Sequence, residues 1–120
     1  VQLTFGPDGT PGCAIAGPKG ELHPYALRWS LQDARCFGRP AVFFDRLDVD
    51  EPGEHRYLVV QWQAGVCGCT CPAYAYRKDR RATCKHGMSL LELSDVQLRL
   101  LESIARADWE VAPCASIPPP

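Results

Sequence analysis

The sequence predicts an α+β fold, a small single domain with an antiparallel sheet and flanking helices, and three observations predict it. The chain has 120 residues, 46% apolar and 22% charged, the size and composition of one globular unit with a modest core. Two runs rich in β-branched and aromatic residues, "PAVFFDRLDV" and "HRYLVVQWQ", flank the acidic turn "DEPGE", which reads as an antiparallel pair. Near the end, Ser94 and Gln97 form an S-x-x-Q capping box ahead of Leu98, Leu101, Ile104 and Ala105, the signature of an amphipathic helix.

Taken in order, "VQLTF" alternates apolar and polar residues and meets the turn cluster "GPDGTPG" before "CAIAG", which predicts a β-hairpin. "HPYALRWSLQDARCFGR" places Pro24 for a first helical turn, Leu27, Leu31 and Ala34 at helical spacing, and Gly38 to end the segment; a helix over about 24–36 is expected. After the antiparallel pair, "VCGCTC" is a third strand suited to pair with "YLVVQW". "KHGMSLLEL" is short and apolar at Met88, Leu90, Leu91 and Leu93, and "PCASIPPP" reads as an extended tail because proline cannot continue a helix. The chain thus divides into an N-terminal hairpin, helix and first strand (1–55), a cysteine-rich strand-loop-helix segment (56–93) and a C-terminal helix with its tail (94–120), expected to form one globular unit.

The formal net charge is −1, which gives no general attraction to nucleic acid or anionic membranes. The distribution is uneven. Arg77, Lys78, Arg80, Arg81 and Lys85 face one acid, Asp79, so this stretch carries +4 and the remainder −5, concentrated in residues 45–54 and in Glu102, Asp108 and Glu110. No run approaches the roughly 18 apolar residues of a membrane helix, so no membrane partner is expected. Seven cysteines leave one unpaired in any disulfide scheme, which favours a reducing compartment, cytoplasmic or nucleoid/nuclear.

Four groups stand out by spacing: Cys69-x-Cys71, twelve residues, then Cys84-x-His86. On a strand, side chains two apart share a face, so Cys69 and Cys71 present two sulfurs together, and Pro72 then turns the chain away. On a helix, residues two apart do not face each other. Cys84 must therefore sit at the cap and His86 in the first turn if both are to reach one ion. Three thiolates and one imidazole suit a closed tetrahedral zinc site, with bonds of about 2.3 Å to sulfur and about 2.0 Å to nitrogen. One structural Zn2+ is the expected cofactor. Cys67, two residues before Cys69, is the main rival for a ligand place, although it reads more simply as a small apolar strand residue.

"CTCP" followed after a loop by "CKH" resembles the SWIM zinc finger, C-x-C then C-x-H, over about residues 56–93. The resemblance implies a binding module with structural zinc, of a kind taken to bind DNA or protein. The basic residues Arg77, Lys78, Arg80, Arg81 and Lys85 then become candidate phosphate contacts for DNA or RNA, with Tyr74 and Tyr76 placed to stack on bases or to cover the zinc. The alternative is a protein-interaction module in which residues 45–54 or the last helix dock a partner. Cys84 and His86 are too close in sequence, and too committed to metal, to act as nucleophile and base. No paired carboxylates, phosphate loop or serine elbow appears, so neither an enzyme nor a small-molecule substrate is expected. Trp29, Trp62 and Trp109 are expected to pack in the core, His23 and His55 on the surface, and Cys13, Cys36 and Cys114 as ordinary thiols.

Overall fold

The computed structural model describes residues 2–51, 55–63, 65–75 and 84–116, with backbone alone for residues 73, 75 and 108–116. Six strands run in simple meander order through one antiparallel sheet: β1 (Thr4–Phe5), β2 (Pro11–Ala16), β3 (Leu22–Trp29), β4 (Ala41–Arg46), β5 (Arg56–Gln63) and β6 (Val66–Cys69). Helix α1 (Leu31–Phe37) joins β3 to β4, a single turn α2 (Pro72–Ala75) follows β6, and α3 (Lys85–Glu92) and α4 (Asp95–Ser116) follow; α4 carries on through Pro113, so residues 113–116 are helical where an extended tail was expected, and 117–120 lie outside the described residues. The α+β expectation holds, as do the hairpin, the β4/β5 pair and the β6 strand on β5.

The helix expected over 24–36 is instead a strand followed by a shorter helix. Residues 22–29 pair with β2 on one side and β4 on the other, and Tyr25 and Leu27 alternate inward at 2% exposure each. Pro24 lies one residue beyond the β4 ladder, where its carbonyl accepts from Leu47 N–H at 2.9 Å. The helix begins at Ser30, whose hydroxyl accepts from Asp33 N–H at 3.3 Å and donates to the Asp33 carboxylate at 2.5 Å, a cap that terminates the strand and starts α1. Gly38, in the left-handed conformation at φ 63°, ends it as expected.

The two faces of the sheet differ. Cys13, Ile15, Tyr25, Leu27, Val42, Phe44, Val59, Cys67 and Cys69 form one face and, with Leu90 and Leu93 of the α3 segment and Leu101 of α4, make the core. At the start of α4 the capping box is formed in both directions, with Gln97 N–H to Ser94 Oγ at 3.2 Å and Ser94 N–H to Gln97 Oε1 at 2.9 Å. Leu101 is buried, and Leu98, Ile104 and Ala105 are half-buried. On the opposite face the cross-strand partners Ala41 and Val60 are buried, while Trp62 remains 43% exposed. Trp62 therefore departs from its core expectation, because its place on β5 points it away from α3 and α4. It lies over Gly68, where a Cβ would collide with its indole nitrogen, and meets Phe37 of α1 edge-on at 5.1 Å. Trp29 is half-buried against the core, and the Trp109 and Cys114 side chains lie outside the described residues.

Candidate metal centre

Cys69 is the last residue of β6, Cys71 follows two residues later, Cys84 caps α3 and His86 is its second residue. The fold brings these four together: their donor atoms all lie within 4.8 Å of one another, and all four residues are buried. Cys84 takes the extended conformation of an N-cap (φ −74°, ψ 172°), and its sulfur faces the cluster. His86 Nδ1 is 3.7 Å from Cys69 Sγ and 3.8 Å from Cys84 Sγ. A tetrahedron with zinc-type bond lengths has sulfur–nitrogen edges of about 3.6 Å, so the donor set fits one small tetrahedral ion.

Backbone N–H groups point at the sulfurs. Cys71 N–H donates to Cys69 Sγ at 3.4 Å, and the N–H groups of Tyr74 and Gly87 favour the charged forms of Cys71 and Cys84. The three thiols hold their protons unevenly. The hydrogen bond to Cys84 and then burial push Cys69 up, and burial raises Cys71. Cys84 is drawn down to about 3, chiefly by its bond from Cys69 and next by His86. A cation that displaces the remaining protons would stabilise all three as thiolates.

The imidazole is fixed by residues far away in sequence. His86 Nε2 lies 3.1 Å from Tyr25 Oη on β3, and the rings of Tyr25, Phe44 and Tyr57 surround it at centroid distances of 5.3, 6.1 and 4.8 Å. Sequence reasoning did not find Tyr25, because the residue was expected in a helix; the alternation of Tyr25, Leu27 and Trp29 was the available signal. Cys67, the rival ligand, stays outside the cluster as a core residue at 1% exposure, its thiol pushed up to about 11 by burial. No disulfide joins the described cysteines; Cys13 is buried and Cys36 exposed.

Of the five candidate phosphate contacts, Lys85 is exposed at the first position of α3, while Arg77, Lys78, Arg80 and Arg81, with Tyr76, lie outside the described residues. Tyr74 packs against the core beside the ligands. His23 and His55 are half-buried rather than on the open surface. His23 bonds Asp48 at 2.7 Å, Arg46 at 2.8 Å and Glu21 at 3.3 Å, and His55 bonds the Tyr57 hydroxyl at 2.9 Å; of these partners only Asp48 and Arg46 are distant in sequence. Among the described residues no helix is long and apolar enough to cross a membrane.

No known protein family matches the sequence, and neither a curated protein nor a solved structure is detectably similar to it.

Proposed function

We propose that the chain is a SWIM-type binding module, stapled by one structural zinc ion and binding DNA or RNA through the basic segment 77–85. The observation that carries this reading is the buried quartet of three cysteines and one histidine bracketing that segment. Three thiolates and an imidazole are the ligand set of a structural zinc site, held here by Cys69, Cys71, Cys84 and His86 Nδ1. With every coordination position filled by protein, no place remains for a substrate, and we read the centre as non-catalytic. Residues 72–83 leave the cluster at Cys71 and return at Cys84, so both ends of the basic segment are anchored to it. Arg77, Lys78, Arg80, Arg81 and Lys85 would each neutralise a phosphate, and such contacts make affinity fall steeply with salt.

The test is a salt titration of the zinc-loaded chain against single-stranded and duplex DNA and RNA. We expect binding whose logarithmic salt slope falls by roughly 0.7 to 0.9 for each of the five cations replaced by Ser. Binding that is absent at low salt, or that ignores all five substitutions, overturns the nucleic-acid assignment.

A protein-interaction module is the second reading. Val96 at 73% exposure and Leu100 at 41% lie on one stripe of α4 and favour docking by that helix. Capture of a defined protein that survives the five-cation substitution and is lost on Val96→Asp would select it.

A further inference from the structure

We infer that Tyr25, 61 residues before His86, is a positioning residue of the metal centre, so that strands outside the ligand-bearing segment complete the site. The inference rests on the metal reading proposed above. A neutral imidazole carries one N–H. With Nδ1 turned toward Cys69 and Cys84 at 3.7 and 3.8 Å, metal binding at that atom requires the hydrogen on Nε2. That N–H is buried, since His86 is 3% exposed and Tyr25 2% exposed. Tyr25 Oη, at 3.1 Å, is the acceptor the fold supplies.

Metal-bound histidines are commonly held this way, by a partner on the other ring nitrogen that sets the tautomer and the ring orientation. Here the partner's own position is set by the sheet. Tyr25 pairs with Cys13 of β2 and Arg46 of β4, so its backbone is fixed in the middle of the sheet. Phe44 lies edge-on to both the Tyr25 and His86 rings at 6.2 and 6.1 Å, and Tyr57 closes the other side at 4.8 Å. These contacts stop the imidazole from tilting away from the sulfurs. A segment spanning 56–93 alone would carry all four ligands but lack this hydroxyl.

The experiment compares the full chain with Tyr25→Phe and Ser30→Ala, reading zinc affinity by competition with a chromophoric chelator. Each variant loses one buried hydroxyl, and that of Ser30 bonds Asp33 at the start of α1. We expect Tyr25→Phe to weaken zinc binding about 10- to 100-fold and Ser30→Ala to change it less than about twofold. In the wild-type zinc complex, 15N spectra of the histidine rings should show His86 metal-bound at Nδ1, with a slowly exchanging Nε2–H that exchanges faster in Tyr25→Phe. Unchanged affinity and exchange in Tyr25→Phe, or metal bound at Nε2 in the wild type, overturns the inference and leaves the metal reading standing. A wild-type chain that takes up no stoichiometric zinc overturns both.

Discussion

The two faces of the sheet are held by different physics. On the face toward α3 and α4, distant parts of the chain converge: Cys13, Tyr25, Phe44, Val59, Cys69 and Leu101 share one buried cluster, and the four residues that could hold a metal ion bring a strand end and a helix start together. On the opposite face the contacts are pairwise. Arg56 forks onto Asp45 through two bonds of 2.8 and 2.7 Å and lies 5.4 Å over the Phe43 ring, and Trp62 rests on Gly68 and Phe37. Exposed ion pairs of this kind contribute at most about 1 kcal/mol each, whereas a structural metal contributes on the order of 10 kcal/mol of apparent folding energy. Losses on the first face should therefore be global, and losses on the second local.

The largest effect tests the first half of that contrast. On the zinc reading proposed above, chelation of the zinc-loaded chain, or Cys84→Ser, should remove on the order of 10 kcal/mol, comparable with the whole stability of a small domain. Far-UV circular dichroism should then show sheet and helix lost together. Strands β1 to β4 surviving with native dispersion in NMR spectra would mean that the two parts are not coupled.

A smaller effect concerns Cys13, in the core but outside the ligand set. Burial pushes its thiol from 9.0 up to about 11, so the folded state keeps the proton that the unfolded state loses. For this thiol the contribution is fully present below pH 9 and disappears as pH rises toward 11, a loss of roughly 2–3 kcal/mol. Urea midpoints of the wild type should fall over that window more steeply than those of Cys13→Ala; equal slopes would remove Cys13 from the account.

The smallest effect is on the opposite face. Gly68→Ala places a methyl against the Trp62 indole, but Trp62 is partly exposed and can swing outward, so a cost of about 1 kcal/mol is expected. In the Trp62→Ala background the penalty should vanish, a coupling that a double-mutant cycle measures. A loss of metal affinity in Gly68→Ala would show that the two faces are not independent.

Much of the site was legible because its information is local. The spacing of Cys69, Cys71, Cys84 and His86 carried the strand-end and helix-start geometry, and Ser94 with Gln97 carried the start of α4. The error at residues 24–36 had a local cause as well. Leu27, Leu31 and Ala34 fit a helical period, while Tyr25, Leu27 and Trp29 fit a strand period, and Ser30 with Asp33 marked the real helix start. Periodicity alone could not choose between overlapping patterns; two flanking strands that accept and donate along β3 made the choice.

By itself, then, the sequence determined the ligand types, their spacing, the helix caps and the alternation of β4 and β5, all of which depend on neighbours within a few residues. Tertiary structure alone decided that 22–29 is a central strand, that Trp62 faces away from α3 and α4, and that a tyrosine hydroxyl from β3 meets His86 across 61 residues. Such contacts follow from strand order and register, which arise only when separate segments compete for the same backbone partners and the same buried volume.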